Sequence, residues 1–249
     1  MTASFKFLLY NIRYGTGTGM SYHLPLPFTG YFRDSSRNTK RILSFIKEEK
    51  PDIIGLVEVD EGSYRSRKKN QAEWIARELG YDHVYQSKYG EKSLARRMPV
   101  LNRQGNAFIT NHPIETLQFH FFKTGMKKMV IELEFDSFVI FLVHLSLKYR
   151  HRQYQLTNLY TLFSEVKKPM IVAGDFNAFW GTQELELFMA AGNLVNANLE
   201  GAPTFPSFAP RHELDFVLHS PTIKMKRFSV CPVQFSDHRP IVCEFDVPR

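Results

Sequence analysis

The stretch MIVAGDFNAF, residues 170–179, is a short apolar run that stops abruptly on polar side chains. Met170 to Ala173 have the length and content of a buried strand, Gly174 punctuates it, and Asp175 and Asn177 follow two apart across a tight turn. The same pattern recurs along the chain. Asn11 closes Phe-Leu-Leu-Tyr, Glu58 closes Ile-Ile-Gly-Leu-Val, and His144 closes Phe-Leu-Val. Asp215 opens Phe-Val-Leu, and Asp237-His238 precedes Pro-Ile-Val-Cys. Any one of these is explained by the preference of Asn and Asp for turns at strand ends. Together they place oxygen and imidazole chemistry repeatedly at the mouth of a sheet.

Outward from this stretch, strand-like runs alternate with amphipathic helices and no linker or internal repeat divides them. Phe5–Asn11 and Ile53–Val57 read as buried strands. Between them Ile42, Phe45 and Ile46 recur at helical spacing, with Ser35 or Ser36 as cap and Pro51 as stop. Ala72, Ile75, Ala76 and Leu79 mark a second helix that ends at Gly80. Strands are expected at 82–86, 105–110, 115–121, 128–135 and 138–144, with Asp136-Ser137 turning the last pair into a hairpin. A helix near 150–166 buries Leu156, Leu159, Tyr160, Phe163 and Val166 on one stripe, and another runs from Thr182 to Ala191. Strands near 214–219, 224–231 and 241–246 complete the chain. Strands outnumber helices and several are hairpin neighbours, so mixed or antiparallel sheets covered by helices are expected in one domain.

The 249 residues are 43% hydrophobic and 23% charged, which excludes disorder and is ample for a core. No apolar run could span a membrane and no signal peptide is evident, so a cytoplasmic location is expected. Cys231 and Cys243 alone exclude a disulfide framework or a thiolate metal cluster. The net charge of +7 is concentrated: residues 65–103 hold ten Lys and Arg against four acids. A basic tract points to an anionic partner, although a solvated face explains most such runs.

The polar set fits one task. A hard divalent cation needs few carboxylates, and Glu58 and Asp237 could supply them. His and Asp on separate strands can form a carboxylate–imidazole pair. Of Asp175 and Asn177, one can orient a water while the other donates to a phosphoryl oxygen. Ser146 lies near His144 without an elbow motif, so no covalent nucleophile is indicated. Metal-assisted attack of water on a phosphate ester needs none.

LLYNIRYG (8–15), IIGLVEVD (53–60), LVHLS (142–146), GDFNAF (174–179), ELDFVLHS (213–220) and SDHRPI (236–241) together make the chain resemble the endonuclease/exonuclease/phosphatase superfamily along its whole length. The resemblance implies an α/β (α+β) four-layer sandwich, with two mixed, mainly antiparallel sheets face to face, helices outside and the site at one edge. It implies a single catalytic domain over residues 1–249 and a metal-dependent phosphoric ester hydrolase using Mg²⁺, or Mn²⁺ in its place. Glu58 resembles the main metal ligand, supported by Asn11, with Asp237 as a second contributor. Asp175 resembles the aspartate that positions or deprotonates the attacking water, and Asn177 the asparagine that stabilises the phosphoryl group. His144 resembles the phosphate-binding histidine, and His238 the one paired with a carboxylate, here Asp215. Several members carry an acid two residues after the first-strand Asn; Arg13 stands there in this chain, which weakens the case for a second metal.

The superfamily acts on many phosphates, so the substrate must be sought in the loops. Arg65 and Arg67, just after Glu58, and Lys148, just past His144, are candidate contacts to a nucleic acid, as is Arg13. Tyr64, Tyr81, Tyr85 and Tyr89 interleave with the basic tract and could stack on bases, or pack as strand residues. Arg152 could add charge near the site or pair with Glu48, Glu49 or another helix-face acid. Residues 15–33 form an apolar Gly/Pro-rich loop, carrying Met20, Tyr22 and Phe28, that would suit a lipid interface or fold on itself. Three functions follow in order: a nuclease-like phosphodiesterase on nucleic acid or nucleotides, a phospholipid or inositol-phosphate phosphoesterase, and a non-catalytic binding module. No obligate protein partner is evident.

Overall fold

The first strand, β1 (Thr2–Asn11), is partly exposed as far as Lys6 and buried from Phe7 onward, so its apolar end runs into the interior and carries Asn11 with it. The computed structural model describes residues 2–18, 34–87, 103–124 and 129–248. Most of the loop expected at 15–33, and residues 88–102 of the basic tract with Tyr89, lie outside the described residues. After β1 come α1 (Ser36–Glu49), β2 (Ile53–Asp60), α2 (Gln71–Leu79), β3 (Asp82–Ser87) and β4 (Gln104–Thr110). Next are β5 (Thr116–Phe121), β6 (Met129–Glu134), β7 (Val139–His144), α3 (Tyr149–Phe163) and β8 (Met170–Asp175). The chain ends with α4 (Glu186–Gly192), β9 (Val195–Asn196), β10 (Asp215–His219), β11 (Lys224–Val230) and β12 (Ile241–Pro248).

Local signals set most boundaries. The Asn70 side chain accepts from the N–H groups of Ala72 and Glu73 to start α2, and Gly80 ends it in the left-handed region at φ 71°. Ser35 occupies the N-cap position of α1 but makes no side-chain cap bond there; Asp34 accepts from the Ser36 N–H instead. Residues 182–184 form a turn of 3-10 helix before α4, so the helix expected at Thr182 begins four residues later. Tyr160, assigned to the buried stripe of α3, is exposed, while Leu156, Leu159 and Phe163 are buried as expected.

The strands make two six-stranded sheets, ordered β11-β12-β1-β2-β4-β3 and β5-β6-β7-β8-β10-β9. Each has one parallel pair at its centre, β1 with β2 and β7 with β8, and antiparallel neighbours elsewhere. A parallel pair needs a crossover, and α1 and α3 supply the two. The sheets pack face to face over a core that includes Phe7, Leu9, Ile131, Leu142 and Phe245. A second apolar layer under α3 and α4 holds Phe141, Leu159 and Phe216, and a third under α1 and α2 holds Leu8, Ile42 and Ile75. This is the four-layer α/β sandwich expected. Among the described residues no helix is long and apolar enough to cross a membrane.

The parallel pairs position the site. Because β1 and β2 run the same way, as do β7 and β8, the carboxyl ends of all four come to one edge. The antiparallel β10 starts there, with Asp215 opposite Asp175, and His144 stands opposite Asp175 from the other side.

Candidate active site

Gly174 lets β8 deliver its acid. Its φ is +151°, and a Cβ there would lie 1.9 Å from the Val143 carbonyl oxygen, so only glycine permits this approach of β8 to β7. Asp175 is then buried at the strand end and fixed from two sides. Its Oδ1 accepts from the Asn177 backbone N–H at 3.0 Å, and its Oδ2 accepts from the Asn11 Nδ2 at 3.0 Å. Nε2 of His144 is 3.3 Å from the same Oδ2. Asn177 adopts φ 52°, and its Nδ2 donates to the Leu145 carbonyl at 3.0 Å, tying the turn after β8 to the turn after β7.

Glu58 reaches this group through a break in its own ladder. The register of β2 against β4 shifts between Leu56 and Val59, and Glu58 sits in that bulge at φ 59°. Its backbone N–H donates to the Asn106 Oδ1 at 3.3 Å. The bulge turns the Glu58 carboxylate toward β7, where Oε1 stands 3.8 Å from His144 Nε2, with 17% of the side chain open to solvent. Asn106, a polar residue inside an otherwise apolar strand, had a visible signal in the run GNAF that the motif reading passed over.

On the other side of Asp175, Asp215 Oδ2 meets His238 Nδ1 at 2.7 Å, and both are buried. Burial works against a charged imidazole, but the charge and hydrogen bond of Asp215, with Asp175 and Asp237 nearby, outweigh it and raise the His238 pKa to about 10. Asp175, Asp215 and His238 each bring a ligand-type atom within 4.8 Å of the others. With Nδ1 committed to Asp215 and the imidazolium favoured, that trio is arranged for moving a proton more than for holding an ion.

Seven of the expected residues thus converge at one sheet edge: Asn11, Glu58, His144, Asp175, Asn177 and the Asp215–His238 pair. The remaining expectations fare differently. Asp237 is engaged by Arg13, whose Nε lies 3.3 Å from its Oδ2. Arg65 does not face a ligand: it is fully buried, its Nε and Nη2 bonded to Asp60 at 3.0 and 2.9 Å and its guanidinium 4.5 Å over the Tyr14 ring. Asp60 also accepts from Ser63 and Ser66, so Arg65 belongs to a buried polar hub, while the described basic residues of the tract that follow it are exposed. Arg67 is exposed and pairs with Asp34, and Lys148 is exposed at the start of α3. Arg152 pairs with Glu184, an acid the sequence reading had not singled out. Tyr81 and Tyr85 pack against the layer under α1 and α2, which leaves Tyr64 as the exposed tyrosine among the described members of that set.

The site also has an aromatic wall. The Phe205 ring stands 5.0 Å from His238, Phe179 lies 6.2 Å beyond it and His212 a further 5.7 Å out. Phe179 is 38% exposed and its neighbour Trp180 is 71% exposed. The Phe205 loop carries no strand or helix periodicity, so the sequence did not mark it.

Solved structures share this fold. A protein from Bacteroides thetaiotaomicron described as of the endonuclease/exonuclease/phosphatase family aligns over 100% of both chains, with TM-score 0.75 and 16% identity. The human Nocturnin catalytic domain with bound sulfate aligns over 98% of this chain and 95% of its own, with TM-score 0.68 and 21% identity. D. rerio TDP2 complexed with single-strand DNA product aligns over 98% and 99%, with TM-score 0.67 and 14% identity. No curated protein matches the sequence. The model of the Endonuclease/Exonuclease/phosphatase family matches residues 8–238, from the Leu8 strand to His238 itself, and the chain belongs to that family of phosphoester hydrolases.

Proposed function

We propose that residues 1–249 form one catalytic domain, a divalent-metal-dependent phosphodiesterase that acts on nucleic acid or nucleotides by in-line attack of water. The observation that carries this reading is the buried Asp215–His238 pair held within 4.8 Å of Asp175. It brings a proton donor from the loop before β12 close to a carboxylate acceptor at the end of β8, as proton transfer at the two ends of an in-line displacement requires. Asp175, fixed by Asn11 and the Asn177 N–H, orients the attacking water and takes its proton. His238, kept charged by Asp215, donates its proton to the leaving-group oxygen, where negative charge builds up as the P–O bond breaks. His144 and the second N–H of the Asn177 amide bind phosphate oxygens.

The residues around Glu58 fit a hard cation: a carboxylate with a solvent-open edge, 3.8 Å from the His144 Nε2 that in turn stands 3.3 Å from the buried Asp175 Oδ2. Mg²⁺ is the expected ion, with Mn²⁺ as substitute. Such an ion, when bound, polarises a phosphoryl oxygen and offsets the charge developing on it.

The aromatic wall supports nucleic acid over the other phosphates of the family. Rings that begin 5.0 Å from His238 and continue to exposed Phe179 present faces on which a base beside the scissile phosphate can stack. The DNA product in the TDP2 neighbour is consistent with this class of substrate. A panel of single-stranded DNA, single-stranded RNA, inositol phosphates and sphingomyelin vesicles, each with Mg²⁺, tests the reading. Turnover is expected on the nucleic acids, to be lost in excess chelator and reduced about a hundredfold or more in Asp175→Ala and His238→Ala. Faster turnover of the lipid or inositol phosphates would overturn the substrate, and equal activity in the variants would overturn the site.

A further inference from the structure

Arg13 and Asp237 flank neighbouring strands of the first sheet, Arg13 just after β1 and Asp237 just before β12. Their side chains meet at 3.3 Å, with 13% and 12% of each exposed. The second carboxylate oxygen of Asp237 accepts from the Ser236 hydroxyl at 3.1 Å. Both oxygens of this acid are therefore engaged by protein donors.

The arginine is not placed there casually. Arg13, Tyr14 and Gly15 all have left-handed backbone, at φ 44°, 56° and 69°. Such a run is costly for the two non-glycine residues and persists only when its surroundings enforce it. Here they do. The Arg13 N–H donates to the Asn11 Oδ1 at 3.1 Å, and the Arg13 carbonyl accepts from both the N–H and the hydroxyl of Thr16. Gln71 Nε2 donates to the Tyr14 carbonyl at 2.9 Å. At Gly15 a Cβ would lie 2.6 Å from the Thr39 hydroxyl and 2.7 Å from Gln71 Nε2, so the turn fits glycine alone. The turn aims the guanidinium at Asp237 and ties its backbone to Asn11, which in turn holds Asp175.

A guanidinium carries a permanent charge, donates only, and repels a cation bound to the same carboxylate. We infer that Arg13 takes the place of a second divalent ion. It neutralises Asp237 with its own fixed charge, confines divalent-cation binding to one ion at Glu58, and makes Asp237 the anchor of Arg13 instead of a ligand. The inference rests on the metal reading proposed above, and the two fail in different ways.

The test counts ions. Free Mn²⁺ is followed by electron paramagnetic resonance during titration of the full chain, for wild type, Arg13→Gln, Asp237→Asn and Glu58→Gln, each with circular dichroism to confirm folding. Wild type is expected to bind one ion, and Arg13→Gln to gain a second, weaker one. Glu58→Gln should lose the ion, while Asp237→Asn keeps it within about threefold of wild-type affinity, against the tenfold or greater loss expected for a supporting group. Two ions in wild type, a single ion in Arg13→Gln, or a tenfold weaker ion in Asp237→Asn would overturn the inference. If Arg13→Gln does not fold, the wild-type count and Asp237→Asn still decide it. No ion in wild type would overturn the metal reading itself.

Discussion

His238 Nδ1 and Asp215 Oδ2 lie 2.7 Å apart in the interior, and that bond sets the proton economy of the site. Burial alone would favour neutral imidazole, but the Asp215 charge and hydrogen bond reverse this and raise the pKa from 6.5 to about 10. A histidine raised in this way contributes stability that is fully present below its unfolded pKa of about 6.5 and is lost as pH rises through its folded pKa. Hydrolysis that uses the imidazolium as donor should persist through neutral pH and fall on the alkaline side near pH 10. In Asp215→Asn the fall should move toward neutrality. Profiles of kcat against pH for both proteins check this, and superimposable alkaline limbs would refute it.

Arg65 serves the fold. Replacing it with Met leaves Asp60 buried without its cation, which should cost about 3–5 kcal/mol of stability. Urea unfolding measures the loss. The salt dependence of nucleic-acid binding should be unchanged, because a buried guanidinium contacts no phosphate. A shallower salt slope at unaltered stability would place Arg65 on the substrate after all.

Phe179 tests the aromatic wall apart from the chemistry. Phe179→Ala should raise KM for an oligonucleotide by about tenfold, as loss of one stacked base does. A small phosphodiester with no base should be cleaved as before. Equal KM values for the oligonucleotide in wild type and variant would show that no base rests there.

Asn106 holds the Glu58 bulge through a single acceptor. Asn106→Ala should weaken Mn²⁺ affinity about tenfold, since such supporting groups typically contribute that much. Calorimetric titration of the ion checks it, and unchanged affinity would show that the bulge holds itself.

Much of this was legible because the fold and the chemistry share one pattern. Apolar runs that stop on Asn11, Glu58, His144 and Asp175 betray both the strands and the edge where they end. What stayed hidden depends on contacts distant in sequence. Nothing local distinguishes Arg13 as the partner of Asp237, since only the register of β1 on β12 brings them together. Arg65 was counted with the surface charge because its composition matches its neighbours, yet Asp60, five residues earlier, draws it inside. The two residues of β9 are too few to show any period. The shared strand order of the two sheets, each with its parallel pair at the centre, left no trace as a repeat because it preserves topology and not residues.

The pairing of β1 with β12 joins the first strand of the chain to the last. As synthesis proceeds, Asn11, Glu58, His144 and Asp175 are all made before His238, and β1 lacks one of its two neighbours until residues 241–248 follow. Pairing across so great a sequence separation is slow and comes late. A chain interrupted before residue 238 therefore carries most of the candidate site residues but neither His238 nor β12, the second neighbour of β1. It would keep Asp175 without the His238 imidazole and leave one side of β1 unpaired.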